Sequence, residues 1–187
     1  MLILASTSPR RSDLLKNAGI DFTVKTANVP EVQQPGESPE TFSKRLARKK
    51  AEAVRPEAVN DFILAADTIV IIAGEVLGKP KDAVDAKRML TKLSGATHEV
   101  MTAVCLLTPA GKLDIRHEVT RVHMCNFDEA EIITYVMHGE PLDKAGAYAI
   151  QGIASRWVDQ IVGDYFNVVG LPVALVYRML REHGAIS

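Results

Sequence analysis

Phe62-Ile63-Leu64-Ala65-Ala66-Asp67-Thr68-Ile69-Val70-Ile71-Ile72, followed by Ala73-Gly74 and Glu75-Val76-Leu77, is the stretch whose reading decides the fold class. It is the longest apolar run in the chain and is interrupted only at Asp67-Thr68. The run falls short of the roughly 18 apolar residues a membrane span needs, so it reads as strand. Ala73-Gly74 turns that strand back into Glu75-Leu77, which predicts a hairpin.

Working toward the N-terminus, Ser38-Pro39 opens a long helix through about Val54, with Ser as N-cap and Pro at the first helical position. Asn28 to Gly36, with two prolines and two glutamines, is the best loop candidate. Asp21 to Lys25 reads as a strand. Ser8-Pro9 starts another helix that Gly19 closes, and Leu2 to Ala5 is a short buried strand. Working toward the C-terminus, Asp82 caps a helix carrying Ala86, Met89, Leu90 and Leu93 and closed by Gly95. Strands at His98 to Leu107 and Leu113 to Phe127 flank the Pro109-Ala110-Gly111 turn. Asp128 and Glu131 have capping-box spacing before a helix that ends at Gly139. Tyr148 to Ile150 and Trp157 to Ile161 read as strands, and Pro172 opens a last helix that Gly184 terminates. Helices interleave with strands throughout, so the class is α/β. Hairpins beside βα crossovers predict a mixed central β-sheet flanked by helices.

The 187 residues suit one domain, residues 1–187, or two small lobes sharing a core, and no repeat or separable linker divides them. Apolar residues make up 47% and charged residues 24%, which excludes a disordered chain. Lysine and arginine number 22 against 23 acidic residues, a formal net charge of -1. That balance argues against a broad basic face for nucleic acid but leaves room for a local site for a small polyanion. The two cysteines, Cys105 and Cys125, lie in apolar strand-like segments and read as buried thiols of a reducing cell. Met1-Leu2-Ile3-Leu4-Ala5 lacks the basic region of a signal peptide, which predicts a cytosolic protein without a membrane segment.

Four places in the chain carry chemistry. In Ser6-Thr7-Ser8-Pro9-Arg10-Arg11 a strand runs through a tight loop into a helix, leaving backbone N–H groups free to meet an anion. Two arginines in the first turn oppose the helix dipole and are easier to explain if an anion fills the site, although solvated arginines on a capped surface helix remain an alternative. On the helix from Ser38, Lys50 falls inside the apolar arc of Phe42, Leu46, Ala47, Ala53 and Val54. It either snorkels outward or meets a negative partner, because an unpaired buried ammonium is costly.

Asp67 sits between two apolar strand segments. It can satisfy itself on backbone amides at a bulge, bind a cation, or take a proton from water. Lys79 follows the hairpin in Gly78-Lys79-Pro80, and Glu31 lies in the proline-rich loop. His98, His117 and His123 show no metal-ligand spacing. Neither a Walker A sequence, G-x-S-x-G nor a paired C-x-x-C occurs. The inventory supports a nucleotide or phosphate-ester site, because phosphoryl chemistry depends on positioning and charge neutralisation and Mg²⁺ takes oxygen ligands.

With those residues in view, the chain resembles the Maf family of nucleoside triphosphate pyrophosphatases over nearly its whole length. The anchors are Leu4-Ala5-Ser6 with Ser8-Pro9-Arg10-Arg11, Leu46 to Ala51, Ala66-Asp67-Thr68 and Gly78-Lys79-Pro80. Leu93-Ser94-Gly95, Asp143 to Tyr148, Ile150-Gln151-Gly152 and Val168 to Pro172 complete the series. The resemblance implies an elongated fold like that of the inosine triphosphatases, with two lobes around a cleft. It also implies Mg²⁺ or Mn²⁺ dependence, a cytoplasmic location and a homodimer. Carried over by motif, Asp67 is the proton acceptor and, with Glu31, a metal ligand. Ser6, Arg11, Lys50 and Lys79 belong to the phosphate shell.

Arg10, Thr68 and Gln151 match the positions that separate the branches of the family. They have the pattern of the branch acting on dTTP and UTP rather than on 7-methyl-GTP. One departure is Ile153-Ala154-Ser155, where many relatives place another glycine soon after Gln151-Gly152; it bears on loop flexibility and base preference. Two other classes are a nucleotide-sensing regulator of cell division, suggested by the family's link to septum formation, and a nucleic-acid binder using Ser8 to Arg11.

Overall fold

The computed structural model describes residues 1–26 and 28–186. In chain order its regular elements begin with β1 (Leu2–Ala5), α1 (Pro9–Asn17), β2 (Thr23–Lys25) and α2 (Pro39–Val54). Next come β3 (Phe62–Ile72), β4 (Glu75–Leu77), α3 (Ala83–Leu93), β5 (Thr97–Leu107) and β6 (Leu113–Met124). The remainder are α4 (Glu129–Met137), β7 (Val158–Val162), α5 (Tyr165–Val169) and α6 (Val173–Glu182). The strands form one seven-stranded sheet in the order β2-β1-β3-β5-β6-β7, with β4 paired to β3. It is mixed: β1 runs parallel to β2 and β3, whereas the β3–β4 and β6–β7 pairs are antiparallel. The α/β class with a mixed sheet flanked by helices is therefore as the sequence predicts. Among the described residues, no helix is long and apolar enough to cross a membrane.

The chain divides into two compact units. The first takes Met1–Thr68, Thr102–Glu118 and the segment from Gly170; the second takes Ile69–Met101 and Val119–Val169. β3, β5 and β6 each pass from one to the other along the chain.

In the first unit, α2 begins where the sequence places it: the Ser38 hydroxyl accepts the Thr41 amide at 3.2 Å and Pro39 occupies the first turn. Its buried face packs into a cluster rich in small side chains, Ala47 and Ala51 against Ala5, Ala65 and Ala103. Alanines let a helix backbone approach a sheet closely, so a long side chain from that face reaches the strand beneath it. α1 differs in one detail from its expected start. The Ser8 side chain makes no cap; instead the Ser6 hydroxyl accepts the Ser8 amide at 3.1 Å.

In the second unit, the Ala73-Gly74 turn has positive φ at both residues, +48° and +80°, the backbone that a two-residue hairpin needs. The capping box at Asp128 and Glu131 is complete in both directions. Phe127 and Trp157 stack at 4.1 Å between ring centroids, with Tyr135 edge-on to Trp157 at 5.1 Å.

Two segments differ from expectation. Tyr148 to Ile150 is not a strand, although Tyr148 and Ile150 are buried as its apolar character demands. Gly146, with φ +68°, sends its N–H to the Gly78 carbonyl and lies where a Cβ would meet Val70 at 2.8 Å. The chain then folds into a turn instead of extending. α5 is the other difference. Asp164 starts it by accepting the amides of Phe166 at 2.7 Å and Asn167 at 3.4 Å, a capping signal hidden behind Gly163.

Candidate active site

Lys50 and Asp67 meet in the first unit. The Lys50 ammonium donates to Asp67 Oδ1 at 2.6 Å and to Glu31 Oε1 at 2.7 Å. Of the two outcomes open to a lysine on an apolar arc, the structure takes the negative partner, and does so twice. Lys50 keeps 12% of its side chain exposed, Asp67 only 5%, and Glu31 36%. Asp67 reaches this point because β3 is buried along its length and its carboxylate projects from within the strand.

The second oxygen of Asp67, Oδ2, is buried and has no hydrogen-bond partner among the described residues. Burial pushes the Asp67 carboxyl above its ordinary value, opposed by the charge and hydrogen bond of Lys50 and by Arg11, while Glu31 adds to the rise. A carboxyl displaced upward is a better proton acceptor than an ordinary surface carboxylate. Two carboxylates drawn to one ammonium, with a buried oxygen that has no partner among the described residues, also have the donor chemistry that suits a divalent cation. Among the described residues no group of three or more His, Cys, Asp or Glu gathers as a metal cage. Two carboxylates are nevertheless the usual complement for Mg²⁺ that shares its remaining positions with substrate phosphates.

Arg11 occupies the other side of Asp67. Its Nε donates to the Gly170 carbonyl at 2.8 Å and its Nη1 to the Ala66 carbonyl at 2.9 Å. Nη1 also reaches the Ser6 hydroxyl at 3.4 Å, and Nη2 donates to the Thr68 hydroxyl at 3.0 Å. The guanidinium thus grips the residues immediately before and after Asp67. Burial holds it below its ordinary value, with the Asp67 and Glu31 charges pulling upward. Thr68 is further fixed by Thr102, whose hydroxyl lies 2.9 Å from its own. Thr102 is buried and escaped the sequence reading; the available signal was one hydroxyl inside an apolar strand. The Gly170 and Ala66 carbonyls left no signal at all, because main-chain acceptors belong to every residue type.

Ser6, Arg11, Glu31, Lys50, Asp67 and Thr68 therefore stand together in one unit. Arg10 is half-buried on α1 and makes no hydrogen bond or ion pair among the described residues. Lys79 and Gln151 belong to the second unit, both exposed, Lys79 after β4 and Gln151 on the turn that replaces the expected strand. The remaining histidines keep out of this group: His98 is buried against Tyr148, 2.8 Å from Nε2 to the phenol oxygen. Both cysteines are free thiols, Cys105 buried and pushed up to about 12 by its burial.

Among solved structures, the chain is similar in fold to the Ham1 protein of Staphylococcus aureus. The TM-score is 0.53 at 17% identity, covering 97% of this chain and 98% of that one. A HAM1 protein from Coxiella burnetii gives 0.52 at 15% identity with the same coverage. Among sequences, it is 55% identical over 185 residues to a dTTP/UTP pyrophosphatase of Koribacter versatilis, covering 99% of this chain and 95% of the relative. A dTTP/UTP pyrophosphatase of Syntrophomonas wolfei is 50% identical, covering 97% and 96%. The family model described as Maf-like protein matches residues 1–183, and this chain belongs to the Maf family.

Proposed function

We propose that this chain is a nucleoside triphosphate pyrophosphatase that hydrolyses dTTP and UTP to the monophosphate and pyrophosphate, as a cytoplasmic homodimer. The observation that carries the reading is Asp67, buried on β3 with one oxygen on Lys50 and the other without a partner. It stands in a chain about half identical to proteins named for that activity. A nucleotide sensor would have no use for a buried base at this position.

The unpartnered Oδ2 of Asp67 accepts a proton from a water whose oxygen bonds to the α-phosphorus. The bond from that phosphorus to the oxygen bridging the β-phosphorus breaks, and pyrophosphate leaves with the electron pair. Arg10 and Lys79 supply positive charge to the phosphates, and the Lys50 ammonium, which has a third N–H beyond its two carboxylate bonds, joins them. Arg11, through Ala66, Thr68 and Ser6, keeps the Asp67 segment in place during the attack. Glu31 and Asp67 would hold Mg²⁺ or Mn²⁺, which supplies neutralisation of the triphosphate charge. Gln151 offers one donor and one acceptor, matching N3–H and O4 on the edge that thymine and uracil share.

Asp67→Asn tests the assignment, since it keeps the volume and removes the base. Pyrophosphate release from dTTP should fall at least ~100-fold, the lower end for loss of a general base, with the melting temperature retained. Turnover near the wild-type rate would remove Asp67 from the mechanism.

A further inference from the structure

We propose that Glu140 is the positioning residue that holds the Gln151 turn in place and so sets the choice of base. The inference rests on Gln151 reading the base.

Gln151 is carried on a four-residue turn closed by the Gly152 amide donating to the Ala149 carbonyl at 3.1 Å. Ile150, only 7% exposed, anchors the turn from below, and Gln151 stands at its exposed apex. A turn tip with one side chain free of the core has little of its own to fix its direction. Here the fixing comes from Glu140, at the start of the 3₁₀ turn Glu140–Asp143. Its Oε2 accepts the Ile153 amide at 3.1 Å, across 13 residues of chain. Its Oε1 accepts the Tyr135 hydroxyl at 2.9 Å, and Tyr135 is fully buried.

Glu140 therefore holds the residue two after Gln151 and ties it to the buried Tyr135. The carboxylate also fills the space beside Gly152, where a Cβ would fall 2.0 Å from Oε1. Any side chain at Gly152, whose φ is an ordinary -106°, would therefore displace the Glu140 carboxylate from this place.

Past the turn, Ile153–Trp157 forms a 3₁₀ helix with Ala154 fully buried, so the segment that departs from the glycine of many relatives is packed down. The clamp on Ile153 is what joins this packed segment to the exposed apex. A carboxylate used only for stability would affect all substrates alike. One that sets the direction of Gln151 changes the ranking among bases, because a hydrogen-bonding site discriminates by which partners it leaves unpaired.

Steady-state kinetics with dTTP, UTP, CTP and GTP on the full chain and on Gln151→Ala, Glu140→Ala, Glu140→Gln and Ile153→Pro make the test. Glu140→Ala should lower the preference for dTTP over CTP ~10-fold through KM, with kcat for dTTP held within about 3-fold. Glu140→Gln should restore most of the preference, since its carbonyl oxygen still accepts the Ile153 amide while its NH₂ meets the phenol. Ile153→Pro removes that amide hydrogen at the first residue of a helical turn, where proline is tolerated, and should show the same loss without touching Glu140. If Gln151→Ala flattens the preference while Glu140→Ala and Ile153→Pro keep it, the positioning role is wrong and base reading survives. If Glu140→Ala and Ile153→Pro slow all four substrates equally, Glu140 is structural only. If Gln151→Ala keeps the preference, base reading falls and this inference falls with it.

Discussion

Asp67 and His98 are alike in being buried titratable residues on neighbouring strands, each with one polar atom that lacks a partner, Oδ2 and Nδ1. They differ in what holds the other atom. Asp67 is gripped by the Lys50 ammonium and flanked by the Arg11 guanidinium, whereas His98 has only the phenol of Tyr148. Burial pushes both toward the neutral form, Asp67 upward and His98 down to about 4. At Asp67 fixed cations oppose that push, so a charge can exist inside the protein. At His98 no opposing charge is in contact, and the ring stays a neutral part of the core. An unpartnered buried atom marks a site only where charge has been arranged around it.

The pair tilts stability with pH in opposite directions. Asp67, with its folded value raised, contributes stability that is present at low pH and lost as pH rises through that value. His98, with its folded value depressed, contributes stability that is present above about 6.5 and lost as pH falls from there to about 4.

The largest expected effect comes from taking the cation away from Asp67. Lys50→Met should abolish turnover and cost about 4 kcal/mol at pH 8, the penalty for orphaning one half of a buried ion pair. The cost should shrink by pH 5, because Asp67, freed of the group that lowers it, takes up a proton instead. Urea melts at the two pH values measure it, and an equal loss at both would mean that Lys50 acts through packing. Next is Arg11→Lys, which keeps the charge and loses the fork that reaches four acceptors. It should cost about 3 kcal/mol, two bonds from a charged donor, and lower kcat without raising KM to match. A rise in KM alone would show that Arg11 acts on the phosphates directly.

The smallest effect is at His98. His98→Gln preserves a partner for Tyr148 and should leave stability at pH 7 almost unchanged. It should remove up to about 3 kcal/mol of acid destabilisation between pH 6.5 and 4, the equivalent of the His98 displacement. An unaltered acid limb would place the acid sensitivity elsewhere.

What could be read ahead of the structure followed from local rules being kept or broken. The ammonium of Lys50 on an apolar arc and the carboxylate of Asp67 inside an apolar run each violate burial preferences and so mark themselves, but only the fold pairs them. The strand and helix boundaries around them follow capping and turn residues, as at Ser38 and at Ala73-Gly74. Tyr148 to Ile150 departs from the strand its apolar character predicts because burial does not require extension. Ile150 is buried from within a turn, and Gly146, which redirects the chain, has both a positive φ and a close approach to Val70 that only the folded path reveals. Glu140 left no trace for a related reason. Its meaning lies in a bond to an amide that every residue but proline has, and only the folded path brings that amide near.

The division of the chain has a consequence for synthesis on the ribosome. The first unit collects three separate segments, and the last begins at Gly170. The Arg11 guanidinium, made early, waits for a carbonyl that lies 159 residues downstream. At about 10 residues per second that interval is roughly 15 s. The second unit has all its parts once Val169 is made, while the grip around Asp67 closes only afterward. An unfinished chain therefore carries Asp67, Lys50 and Arg11, but not the Gly170 carbonyl that completes their frame.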